Sequence, residues 1–232
     1  MDSLALLSAG AAKGLVLALQ QRFTEASGAQ LQATFGAVGA IREQWLAGAP
    51  CDVIILTEKQ IDEMAAAGEV APATCAPLGR VRTGIAVRAG APLPAIADAD
   101  GLRQALLVAS DLYLPDPVRA TAGIHCVDVL RRLGIYAQME SRLRAFPNGA
   151  TAMAQLAKSS ASAPIGCTQI TEILYTPGVT LAGALPAELE LSTVYAAAVS
   201  GRARAPEAAR QLVALLAGPD AAKTRRAGGF EA

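Results

Sequence analysis

The sequence predicts an α/β protein of two Rossmann-like lobes joined by a two-strand hinge. Three observations lead there. From Leu4 to Gly68, apolar strand-like runs alternate with helix-like periodic runs and read β-α-β-α-β-α. Within that stretch Cys51–Leu56, CDVIIL, is an apolar run but for Asp52, the mark of a parallel strand buried on both faces. Beyond Leu78 the pattern changes, runs through a second α/β stretch over 83–192, and then returns to the first unit. Lobe 1 is therefore expected to be discontinuous, 1–82 plus 193–232, with 83–192 as lobe 2.

Each element has its own signal. Leu4–Leu7 is a short apolar strand, and Ser8 to Ala12 is its turn. Lys13–Ala26 carries Leu15, Leu19 and Phe23 at helical spacing and stops at Gly28. Leu31–Phe35 alternates as a strand. The FGAVGA turn at Phe35–Ala40 leads into a helix over 40–47, closed by Gly48 and Pro50. Thr57 follows the CDVIIL strand, and a helix over 59–67 ends at Gly68. In the second stretch, strands are expected at 81–87, at the start of DLYLPDPVRATAG, at APIGCTQI and at VTLAGALP. Helices are expected at 102–106, 124–133 and 151–158. LSTVYAAAV then supplies a strand, and 206–216 the last helix.

Composition narrows the function. Twenty basic and 20 acidic residues in 232 give zero formal charge, so the basic footprint of a nucleic-acid binder is missing. Hydrophobic residues make up 53%, enough for a sizeable core. Cys51, Cys75, Cys126 and Cys167 show no CxxC spacing. They read as buried free thiols, which leans toward a reducing compartment. No metal cluster, P-loop or cofactor motif is present, so neither a metal nor a cofactor is expected. The N-terminal MDSLALLSAGAAKGLVLALQ has Asp2 where an export signal carries Lys or Arg, and it is too interrupted to span a membrane. No membrane insertion is expected. The chain is cytoplasmic as it stands, or periplasmic if a signal has been removed.

The strand-to-helix turns carry the candidate site. Ser8, with the N–H groups of Ala9 and Gly10, sits at one helix start; Ala37 and Val38 sit at another. Helix N-termini attract anions by about 0.3–1 kcal/mol each at exposed sites. A turn that binds through its backbone needs no reactive side chain, and this explains the bland FGAVGA. Thr57 closes a third strand, as a hydroxyl donor or as a helix cap. Arg82 at the crossing, and Arg119 with Thr121 in the loop before the helix of His125, are the cationic and hydroxyl candidates of the second stretch. Asn148 precedes a helix, as ligand group or cap, and Thr168 and Gln169 end a strand. Tyr195 lies at the return crossing, where hinge packing is its ordinary role. His125, the lone histidine, is the weak catalytic candidate; packing or capping is the plainer reading.

Four segments resemble the type 2 periplasmic solute-binding proteins, in particular their molybdate-binding branch. They are LLSAGAAKGL with FTEASGAQLQATFGAVGAIREQWLAGAPCDVIIL, then PDPVRATAGIHCVDVLRRLGI, PNGATAMAQLA, and VYAAAVSGRARAPEAARQLVALLAGPDAAKTRRAGGF. The resemblance implies two lobes closing over a small anion and, if the chain is exported, an ABC transporter permease as partner. It also implies that Asn148 to Thr151 face the ligand. One departure stands out. The molybdate binders place a serine where this chain has Val38, and a tyrosine where it has Thr168 or Gln169, so of these hydroxyls only Ser8 is kept. A charge-assisted bond contributes about 1.5–3 kcal/mol, so losing one retunes the pocket toward a small organic anion. The alternative is a cytoplasmic isomerase of an unsaturated tricarboxylic acid, aconitate-isomerase-like, on the same fold. Its base would be His125, Glu172 or Asp116.

Overall fold

The computed structural model describes residues 3–232, so Asp2, on which the leader argument leans, lies outside the described residues. The chain divides into two units, Met1–Val81 with Thr193–Ala232, and Arg82–Ser192. In chain order the first unit holds β1 (Ser3–Ala9), α1 (Lys13–Ser27), β2 (Gln30–Gly36), α2 (Val38–Leu46), β3 (Val53–Thr57) and α3 (Glu58–Ala66). The chain leaves it within β4 (Ala76–Arg88). The second unit holds α4 (Ala99–Val108), β5 (Leu112–Pro115), α5 (Thr121–Arg132), α6 (Tyr136–Met139), β6 (Leu143–Phe146), α7 (Gly149–Lys158), β7 (Ile165–Gln169), α8 (Ile170–Tyr175) and β8 (Val179–Ala184). The chain re-enters the first unit at the start of β9 (Ser192–Val199) and closes with α9 (Pro206–Ala217) and α10 (Ala222–Ala227).

In the first unit the strand order is β2-β1-β3-β9. β1 pairs in parallel with β2 and β3, and β9 runs antiparallel to β3. Val53 to Leu56 of β3 are fully buried, as a parallel strand covered on both faces requires. Phe23 of α1, Ile41 and Trp45 of α2, Ile61 and Met64 of α3, and Leu212 and Leu216 of α9 fill one core with these strands. α1 ends in a left-handed Gly28, whose N–H reaches the Thr24 carbonyl. Two guanidinium groups contact the Trp45 indole, Arg202 at 3.8 Å and Arg42 at 4.7 Å from the ring centroid.

A buried carboxylate locks this unit at the opposite end of its strands. One oxygen of Asp52 accepts the Ala5 N–H at 2.7 Å. The other accepts the Arg204 and Ala205 N–H groups at 2.6 and 3.1 Å, so β1 is tied to the segment entering α9. An amide in its place keeps one acceptor and turns donors onto an N–H. Asp52→Asn is therefore expected to cost about 1–2 kcal/mol in urea unfolding, without altering anion binding.

In the second unit β5 pairs in parallel with β6 and β7, while β4 runs antiparallel to β7 and β8. Its apolar packing falls into two clusters. One is built on Leu102, Leu106, Leu114, Val129 and Leu130, the other on Ala86, Met153, Leu156 and Ile173. The four-thiol reading is corrected here: Cys126 of α5 and Cys167 of β7 form a disulfide, and only Cys51 and Cys75 are free. Burial pushes the Cys51 thiol up to about 12, so it stays neutral. Several boundaries also differ from the sequence reading. Ser8 belongs to β1 rather than to the turn, α2 begins at Val38, α4 runs from Ala99, and α5 starts at Thr121. β6, α6, α8 and α10 are elements that the sequence reading lacks.

Candidate functional site

The carboxyl ends of β2, β1 and β3 lie side by side in the first unit. Register sets Ala9 beside Gly36, and Ser8 beside Phe35 on one side and Ile55 on the other. Ser8, Ala9, Gly10, Ala37, Val38 and Thr57 are thus brought to one edge of one sheet. Their local chemistry differs. Thr57 caps α3, its hydroxyl accepting the Gln60 N–H at 3.4 Å. The starts of α2 and of the single 3-10 turn before α1 have Ala37 and Ala9 as preceding residues, no side-chain cap, and no acidic residue in the first turn. Two neighbouring helical starts therefore hold N–H groups that no side chain of their own neutralises. Ser8 is fully buried and donates its hydroxyl to the Ala9 carbonyl at 3.0 Å.

In the second unit the carboxyl ends of β5, β6 and β7 likewise share one edge, since Pro115 pairs with Phe146 and β5 lies between β6 and β7. Arg119, Thr121, Asn148, Thr168 and Gln169 follow or close these strands. Asn148 caps α7, accepting the Thr151 N–H at 2.8 Å. Arg119 is turned back on its own loop, 3.0 Å from Asp116. Arg82 is engaged with Glu190 at 3.6 Å. Thr121 is the first residue of α5, and His125, one turn on, contacts the Leu189 carbonyl through Nε2 at 2.7 Å. Tyr195 is buried in the first unit's core, opposite Thr57 across β3 and β9.

A buried carboxylate sits at the start of α7. Glu172 accepts the Thr168 hydroxyl at 2.6 Å and the Ala150 N–H at 3.3 Å. Gly149 has no room for a side chain, because a Cβ there would lie 1.9 Å from the Glu172 carboxylate and 2.0 Å from the Thr168 hydroxyl. The sequence reading takes Glu172 only as a base; the structure makes it an acceptor for one helix amide and one hydroxyl.

Asp116 behaves differently. The Val118 N–H, opposed by partial burial and reinforced by the Arg119 N–H and guanidinium, holds its carboxyl below the usual carboxylate range. A depressed folded value contributes stability above the ordinary carboxylate pKa of about 3.9 and loses it as pH falls through the folded value. Asp116→Asn is expected to flatten that part of the acid limb in stability-versus-pH curves and to leave the curve above pH about 6 parallel to the parent.

Sequence reasoning misses Thr83 and Thr171. Thr83 is fully buried in the inward row Val81, Thr83, Ile85, Val87 of β4, the one polar residue in an apolar alternation. That interruption is the signal that was there to be read.

Two α/β units, entered and re-entered through strands, with uncapped helix starts gathered at the carboxyl ends of parallel strands, define a type 2 periplasmic solute-binding fold. The chain matches the bacterial extracellular solute-binding protein family over residues 4–231, and it belongs to that family. It is similar to the periplasmic molybdate-binding protein of Azotobacter vinelandii, with TM-score 0.81, 20% identity and 99% of each chain covered. It also resembles the sulfate-binding protein of Mycobacterium tuberculosis, with TM-score 0.77, 19% identity, 99% of this chain and 86% of that one covered. Among characterised sequences it is 28% identical over 229 residues to an aconitate isomerase of a Pseudomonas species, covering 96% of this chain and 85% of that protein. Among the described residues no helix is long and apolar enough to cross a membrane.

Proposed function

We propose that this chain binds a small anion, an oxyanion or a carboxylate, as the exported solute-binding component of an ABC transport system. The observation that carries the reading is the pair of uncapped helical starts at Ala9 and Ala37, side by side on the edge of one sheet. α3, α4 and α7 have side-chain caps, and α8 and α9, which lack them, carry Glu172 and Glu207 in the first turn; α5, which follows β5 in the second unit, is uncapped as well. Family membership and the molybdate- and sulfate-binding neighbours agree with an anionic guest. The Cys126–Cys167 disulfide favours an oxidising compartment, the periplasm, over the reducing one. Val38, in the place of a serine hydroxyl, favours a small organic acid over a tetrahedral oxyanion.

The 28% identical aconitate isomerase keeps a second reading in play, an isomerase acting on an unsaturated tricarboxylic acid. Its three candidate bases are all engaged: His125 with Leu189, Asp116 with its own loop, and Glu172 with Thr168 and Ala150. This weighs toward binding without turnover. A thermal-shift screen of molybdate, sulfate, di- and tricarboxylates tests both readings. A ligand at 100 times its dissociation constant stabilises by about 2.7 kcal/mol. A saturable shift with an organic acid and no interconversion of cis- and trans-aconitate is expected. Turnover would establish the isomerase instead, and a panel without any shift would remove the anion reading.

A further inference from the structure

Resting on the solute-binding reading, we infer that the ligand is a hydroxylated organic acid, selected by an uncharged polar subsite formed by Thr83, Gln169 and Thr171 in the second unit. Gln169 and Thr83 are registered opposite each other in the antiparallel pairing of β4 with β7, so their side chains share one face of the sheet. The next pair on that face is Ile85 with Cys167, and Cys167 is bonded to α5, so α5 covers this face. All three residues are more than nine-tenths buried. Yet the Gln169 amide oxygen and nitrogen, the Thr83 hydroxyl and the Thr171 hydroxyl have no hydrogen-bonding partner in the protein. Buried polar groups are almost always paired, and four orphan atoms beside the carboxyl end of one strand are a concentration that the fold itself does not need.

The types of these atoms specify the guest. The amide oxygen of Gln169 accepts only, and needs a donor. Its NH₂ needs acceptors, and the two hydroxyls adapt to either. A fully ionised oxyanion offers acceptors alone and leaves the amide oxygen orphaned. An alcoholic hydroxyl next to a carboxylate supplies donor and acceptors together. A site built to hydrogen-bond a hydroxyl discriminates strongly against the analogue lacking it, because its own polar groups are then left unpaired.

Calorimetric titration of the full chain with matched pairs tests this: malate against succinate, and citrate against tricarballylate, with molybdate and sulfate alongside. In at least one pair the hydroxylated acid is expected to bind about tenfold or more tightly than its deoxy partner, and more tightly than either oxyanion. In Gln169→Leu that preference is expected to fall below about threefold, with the hydroxylated acid losing more affinity than its deoxy partner. Thr83→Val serves if the leucine variant does not fold, and the pairs measured on the parent chain stand without either variant. Organic acids that bind with no preference for the hydroxyl, or a preference that survives both variants, would overturn the subsite and leave the solute-binding reading intact. Oxyanions outbinding every organic acid would do the same. No anion bound at all would remove both.

Discussion

Removing the disulfide with the pair Cys126→Ala and Cys167→Ala is expected to lower the unfolding free energy of the second unit by about 4 kcal/mol. The bond joins residues 41 apart in sequence, and closing a loop of that size in the unfolded chain removes that much conformational freedom. It also fixes α5 to the strand that ends in Thr168 and Gln169. For a unit of the length of Arg82–Ser192 the loss corresponds to roughly 15–20 °C in its melting temperature. Calorimetry resolves it as a separate or displaced transition, and the first unit, with its own core, is expected to melt as before. A direct check comes from thiol counting in denaturant. The oxidised chain should titrate two thiols, Cys51 and Cys75, and the reduced chain four. Four thiols before reduction would show that the bond does not form.

The second large effect is expected from Gly149→Ala. The added carbon meets the Glu172 carboxylate at 1.9 Å and the Thr168 hydroxyl at 2.0 Å, in a buried corner where neither group has free space. The carboxylate must swing away, breaking the 2.6 Å bond from Thr168 and the contact with the Ala150 N–H. Overpacking costs about 1–3 kcal/mol and a lost bond to a charged group about 1.5–3, so a total near 3–4 kcal/mol is expected. Because Thr168 immediately precedes Gln169, organic-acid affinity should fall about tenfold as well, readable by calorimetry. Glu172→Gln in the Gly149 background separates the two causes, since it keeps the shape and removes the charge. A Gly149→Ala chain with parental stability and parental affinity would show that the Glu172 carboxylate leaves this corner at little cost.

Much of this architecture can be read from the amino acids, and the failures have physical reasons. VIIL, Val53 to Leu56, announces β3 because a strand covered on both faces has to be apolar throughout. Gly28 announces the end of α1 because the left-handed cap excludes most other residues. β6 is harder, because LRAF is four residues long and its Arg144 is half exposed, so neither alternation nor a continuous apolar run appears. α8 follows β7 directly, with no glycine or proline between strand and helix to mark a boundary. The Cys126–Cys167 bond depends on a helix and a strand being neighbours, and spacing alone does not fix such a pairing. The candidate site divides the same way. Ala9, Ala37 and Thr57 are legible as strand-to-helix junctions. The orphaned state of Gln169 and Thr83 depends on the register of β4 against β7, which is a property of the sheet and not of either segment.

Binding of an anion by backbone N–H groups, with little help from side-chain charge, is the central claim. Amide chemical shifts and hydrogen exchange of the isotopically labelled chain, recorded with and without the organic acid that gives the largest thermal shift, test it most directly. The account predicts the largest shifts and added protection at Ala9, Gly10, Val38 and Gly39. Saturable binding that leaves those first-unit amides unmoved, and instead perturbs arginine side chains such as Arg82 or Arg119, would contradict it.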